Sequence, residues 1–118
     1  MSSEHLAPLV SALRDLLALF KDRHTPATII GGVAASLLGR PRVTRDIDAM
    51  IMLESGQWEG LLTASRQFGF TPRLSNAMQF ARSNRVLLLR HDPSGIDVDI
   101  AFGGLPFEEE AIQRAVSV

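Results

Sequence analysis

TIIGGVAASLLGRPRVTRDIDAMIM, residues 28–52, changes pattern three times. Ala27 to Ile30 is a short run with β-branched side chains and reads as a strand that Gly31-Gly32 closes. Val33 to Leu38 is compatible with a helix, and Gly39 to Arg45, rich in Gly, Pro and Arg, reads as a loop. From Asp46 to Leu53 the apolar Ile47, Ala49 and Ile51 alternate with Asp46, Asp48 and Met50, the period of a second strand. Strand, tight turn, helix, loop, strand is the expected order.

Upstream, Leu6, Leu9, Val10, Leu13, Leu16, Leu17 and Phe20 recur every three or four residues, which predicts an amphipathic helix from about Ser3 to Lys21 with Pro8 near its first turn. Its polar side mixes acids and bases, so the stripe reads as core packing and not as a membrane-surface face. Downstream, Ser55 is the expected N-cap of a helix presenting Trp58, Leu61, Leu62 and Phe68, with Gly69 at its C-terminus. Asn76 to Arg82 reads as a short helix. Val86 to Arg90 and Ile96 to Phe102 read as a hairpin joined by His91-Asp92-Pro93-Ser94-Gly95, and Pro106 starts a last helix over Phe107 to Val116. This α-β-α-β-α-(α)-β-β-α order predicts an α/β (α+β) fold, a small mixed β-sheet with helices packed on it, in a single domain spanning 1–118.

The bulk numbers agree with one folded unit: 118 residues, 46% apolar and 21% charged. Twelve basic and 13 acidic side chains leave a formal charge of −1, so no global positive field holds nucleic acid. Lys21 is the only lysine, and a phosphate would have to be met by arginine. The absence of cysteine excludes disulfides, thiolate metal sites and a cysteine nucleophile. With no apolar run near the ~20 residues of a bilayer span and no basic-apolar leader, the expected location is the cytoplasm, without a membrane.

Side chains two apart on a strand share a face, so Asp46 and Asp48 emerge together, and Asp97 and Asp99 repeat the arrangement between Ile96, Val98 and Ile100. An isolated Asp-x-Asp is more often a strand with one solvated face. Two such pairs, the first preceded by a strand-Gly-Gly-helix turn, shift the balance towards a site. Two carboxylates about 4 Å apart repel by roughly 4 kcal/mol at an effective dielectric near 20, which calls for a counter-cation. Magnesium takes oxygen ligands and is commonly shared between carboxylates and a substrate's phosphates, which points to a nucleotide. Glycines ahead of a helix let backbone amides approach those phosphates.

Ile30-Gly31-Gly32, a short helix, Arg42-x-Thr44-x-Asp46-Ile47-Asp48 and a later apolar-Asp-apolar strand resemble the nucleotidyltransferase superfamily related to DNA polymerase beta, and within it the AbiEii/AbiGii-type toxin nucleotidyltransferases of bacterial abortive-infection and toxin-antitoxin systems. The resemblance covers roughly Thr28 to Phe107. It implies a nucleotidyltransferase fold and transfer of a nucleoside monophosphate from a nucleoside triphosphate, ATP among the candidates, to an acceptor hydroxyl on RNA, protein or a small molecule. It implies Gly31 and Gly32 on the nucleotide phosphates. Asp46, Asp48 and Asp99 become catalytic metal ligands, with Asp97 an accessory or competing candidate for the third position. The implied cofactor is Mg2+, two ions, with Mn2+ as the alternative. Arg42, Arg45 and Thr44 lie beside the triphosphate, although Arg40, Arg42 and Arg45 also suit a solvated loop. The implied partners are a cognate toxin or antitoxin protein, a tRNA acceptor, or a second copy of the chain.

A different class of function remains open, a non-catalytic nucleotide- or metal-binding regulatory module that keeps the fold and acts through a partner protein. An antibiotic nucleotidyltransferase of the aminoglycoside type fits the short chain less well. His5, His24 and His91 show no paired metal-ligand spacing and read as surface or structural, so zinc is not indicated. Trp58, Phe68 and Phe70 read as core, and Ser36 and Ser94 show no base and orienting acid at known spacing.

Overall fold

The apolar stripe at the N-terminus and the alternating strands find one another across a single core. The computed structural model describes residues 3–30 and 46–103, with side chains from Ala7 onwards. The Gly31-Gly32 turn, the helix expected over Val33 to Leu38 with Ser36, the loop with Arg40, Arg42, Thr44 and Arg45, the C-terminal helix and the His5 side chain lie outside the described residues.

Helix α1 spans Ser3–Asp22 and runs a turn ahead of Pro8, so the proline sits inside it and its missing N–H removes one backbone bond. Strands β1 (Ala27–Ile30) and β2 (Asp46–Met52) follow as expected. Ser55 does not cap a helix: Ser55–Gln57 forms a 3-10 turn without a side-chain cap, and α2 (Trp58–Ser65) starts after it. The chain is already turning before Trp58, so the serine's hydroxyl has no free helix amide to meet. A second 3-10 turn, Arg66–Phe68, ends on Gly69 at φ 91°, the left-handed stop expected there. Then come β3 (Phe70–Pro72), α3 (Ala77–Asn84), β4 (Val86–His91) and β5 (Ile96–Gly103).

Among the described residues the chain is a mixed α/β domain, three helices and a five-stranded sheet in the order β1-β2-β5-β4-β3. β2 and β5 are parallel neighbours, while the other three pairings are antiparallel. Burial alternates along β2 and β5, with Ile47, Ala49, Ile51, Val98, Ile100 and Phe102 on the core face. Leu9, Ala12, Leu16, Leu19 and Phe20 of α1 and Trp58 and Leu61 of α2 join them in one cluster. Trp58 stacks on Phe102 with centroids 3.9 Å apart and donates its indole N–H to the Leu53 carbonyl at 2.9 Å, so the aromatic packs without orphaning its polar end. Arg82 of α3 reaches Glu59 of α2 at 3.0 Å, which places α3 beside α2. No described helix is long and apolar enough to cross a membrane.

With the described helices on one face, the other face of the sheet carries the even-numbered residues of β2 and the odd-numbered residues of β5. That face holds the aspartates.

Candidate functional site

The register decides which aspartates meet. Asp46 stands opposite Asp97 and Asp48 opposite Asp99 on the parallel β2–β5 ladder. Directly opposed residues share a face, and adjacent strands lie about 4.8 Å apart, so the four carboxylates occupy one patch. Each is held there by the buried neighbours that alternate with it, Ile47 and Ala49 on β2 and Val98 and Ile100 on β5. A slip of one residue would turn all four carboxylates into the core.

The ladders extend these pairs into two rows across the sheet. Ile30, Asp48, Asp99 and Leu88 are successive partners across β1, β2, β5 and β4, and the Arg73 amide donates to the Leu88 carbonyl at 3.0 Å, adding Arg73 to the end of that row. The second row runs Asp46, Asp97, Arg90, Thr71.

Arg73 was not legible as a site residue, yet among the described residues it is the cation paired with this patch. Its Nη1 lies 3.3 Å from Asp97 Oδ2, and its Nη2 donates to Asp99 Oδ1. Its Nε–H is buried without a partner among the described residues, as is the Thr28 hydroxyl. Arg90 faces Asp97 in the register, but its guanidinium lies near Gly95 instead. The only signal in the sequence was an arginine four residues after the Gly69 stop, with nothing in its spacing to aim it at β5.

The Asp48 carboxyl is pushed above the ordinary aspartate range, first by desolvation and then by the negative charges of Asp99 and Asp46, while Arg73 acts in the opposite direction. Hard oxygen donors with a cation already lodged among them are a donor set that suits magnesium. Among the described residues, however, no three acidic or histidine side chains are gathered closely enough to ligate one ion. Gly31, Gly32, Arg42, Thr44 and Arg45 lie outside the described residues, so the phosphate-binding half of the expected site has no geometry here.

The histidine that the sequence placed in a turn is the last residue of β4 and fully buried. His91 Nε2 lies 2.6 Å from Asp15 Oδ2 and Nδ1 lies 2.7 Å from Ser94 Oγ. Ser94 thus has both an imidazole and, through it, a carboxylate, which its spacing did not reveal. With Nε2–H donated to Asp15, Nδ1 accepts from the Ser94 hydroxyl, whose oxygen in turn accepts from the Ile96 amide at 3.2 Å. Those bonds satisfy a buried ring and tie the β4–β5 turn to α1, the structural role expected of His91.

Among the described residues, cavities lie away from the aspartates. One, of about 360 Å³, is lined by Met52, Glu54, Trp58, Arg85 and Gly103 at the far ends of β2 and β5. Another, about 560 Å³ and more open, is lined by Ala18, Lys21, Asp22, His24 and Phe68. Compared with known proteins, the chain matches no family model and no curated protein.

Proposed function

We propose that this chain is a magnesium-dependent nucleotidyltransferase of the DNA polymerase beta-like fold, moving a nucleoside monophosphate from a nucleoside triphosphate to an acceptor hydroxyl, in a bacterial toxin-antitoxin or defence setting. The observation that carries the reading is the β2–β5 register, which sets Asp46 against Asp97 and Asp48 against Asp99 on one face. Bound magnesium would supply charge compensation for the triphosphate and the leaving pyrophosphate. Asp46, Asp48 and Asp99 are the residues to hold it, with Asp97 beside them. Gly31 and Gly32 offer backbone amides to the phosphates, and Arg42, Thr44 and Arg45 complete that side.

In the transfer the acceptor oxygen forms a bond to the α-phosphorus while the bond from that phosphorus to the bridging oxygen breaks. Pyrophosphate leaves with the electron pair, and Asp99 orients the acceptor hydroxyl and takes its proton.

Calorimetry with ATP, GTP, CTP and UTP in magnesium tests the reading on the wild type and on Asp46→Ala/Asp48→Ala. Metal-dependent binding that the double substitution abolishes supports it, and a search for the acceptor with labelled nucleotide follows. A folded wild type that binds no nucleotide overturns it.

One observation favours the second reading, a non-catalytic nucleotide- or metal-binding module acting through a partner: Arg73 is already engaged with Asp97 and Asp99. Nucleotide binding without transfer to any acceptor would support that alternative.

A further inference from the structure

We infer that the cavity at the carboxyl ends of β2 and β5 is a binding site for a small zwitterion, a free α-amino acid with an apolar side chain. Arg85 takes its carboxylate and Glu54 its ammonium. The site is separate from the aspartate patch and does not depend on the transferase reading.

The placement of Arg85 is the first reason. It follows α3 at φ 57° and ψ 37°, a left-handed stop where glycine is unstrained and arginine is not. A non-glycine residue held in that region is a pointer to function. Two bonds to one partner keep it there. The Phe102 amide donates to the Arg85 carbonyl at 2.9 Å, and Arg85 Nε donates to the Phe102 carbonyl at 3.2 Å. The guanidinium carbon lies 5.9 Å from the centroid of the Trp58 ring. With Nε engaged, Nη1 and Nη2 remain, the paired donors that fit a carboxylate. Among the described residues neither nitrogen has an ion-pair or hydrogen-bond partner.

Glu54 is the second reason. It lines the same cavity, is exposed, and forms no ion pair with Arg85 or with any other described residue. Opposite charges that share one cavity without meeting leave room for a molecule that carries both signs. The wall beside them is apolar, from Met52, Leu53 and Trp58. Trp58 is held rigidly, stacked on Phe102 at 3.9 Å and bonded through its indole N–H to the Leu53 carbonyl. A volume of about 360 Å³ is at the lower end for small-molecule sites, which suits a compact ligand. The carboxyl ends of parallel strands are also where open α/β sheets hold their ligands.

Trp58 is the only tryptophan of the chain, so its indole N–H gives one assignable resonance at the cavity wall. The probes are the standard L-amino acids, each titrated into the full chain without metal or nucleotide. At least one with an apolar side chain should shift that resonance saturably. Its N-acetyl derivative, which lacks the ammonium, and its carboxamide, which lacks the carboxylate, should each bind at least about tenfold more weakly. Glu54→Gln and Arg85→Lys should weaken the free amino acid to a similar degree. Asp46→Ala/Asp48→Ala should leave its binding unchanged, and a loss there overturns the placement. No saturable shift with any of the amino acids overturns the site. An N-acetyl derivative or carboxamide that binds as well as the free amino acid overturns the zwitterion, and this comparison needs only the wild type should Arg85→Lys fail to fold. Nucleotide binding at the aspartates is measured separately, so either reading can fail alone.

Discussion

Asp48 faces Asp99 across neighbouring parallel strands, and the carboxyl of Asp48 is held above its ordinary range by burial, by Asp99 and by Asp46. A carboxyl raised on folding binds protons more tightly in the native than in the unfolded chain. Stability then falls as pH rises from the unfolded value of 3.8 through the raised native one, and the loss is complete above it. Asp48→Asn removes the charge and should be more stable than wild type at pH 7, by no more than about 1 kcal/mol after allowance for solvent screening. Urea unfolding at pH 3 and pH 7 checks this: the gain should appear at pH 7 and vanish at pH 3.

The two β5 acids should separate in a transfer assay. Asp99 is opposite Asp48 and takes the third-ligand role in the proposed chemistry, so Asp99→Asn should lower kcat by about a hundredfold or more. Asp97→Asn should cost less, because Asp97 stands beside the proposed set of Asp46, Asp48 and Asp99 as an accessory acid. The reverse order of effects in steady-state kinetics would reassign the third ligand to Asp97.

Asp15→Ala leaves the buried His91 ring with one polar partner fewer and should destabilise the fold by about 1–3 kcal/mol. Asp15→Asn keeps an acceptor oxygen and should recover part of the loss. Thermal melts of the two variants separate lost hydrogen bonding from lost helix packing.

Gly69 sits at φ 91°, and a Cβ there would lie 3.2 Å from Pro93 Cδ and 3.5 Å from His91 Nε2. Gly69→Ala should therefore cost about 1–3 kcal/mol from backbone strain. Crowding against Pro93 and the His91 ring adds to it. A lowered denaturation midpoint with an unchanged m-value is the expected result.

Elements of the described fold announced themselves in the sequence where their periods were long enough. The three- and four-residue spacing of α1 and the alternation in β2 and β5 fixed which side chains are buried, and with them the shared face of Asp46 and Asp48. What the spacing could not supply was neighbourhood. That β2 lies parallel to β5, in a register pairing Asp48 with Asp99, is not readable from either strand alone. β3 escaped because three residues ending in proline carry no readable alternation, and an edge strand tolerates that proline. Arg73 was invisible for the same reason, since its partners are on a strand it does not adjoin. His91 did leave a signal: it continues the two-residue period of Leu87 and Leu89 and so belonged to the core face of β4.

The two signs of charge at the patch are mounted on unequal parts of the sheet. β5 is the central strand, bonded along both edges, and its amides should be among the last to exchange with deuterium. β3 is a three-residue edge, and the turn that carries Arg73 should open and reclose many times within one opening of β5. The anions of β5 thus sit on a strand expected to exchange slowly, while their cation sits on a turn expected to open more often. Protection from exchange should accordingly drop between Asp99 and Arg73, two residues joined by a single ion pair.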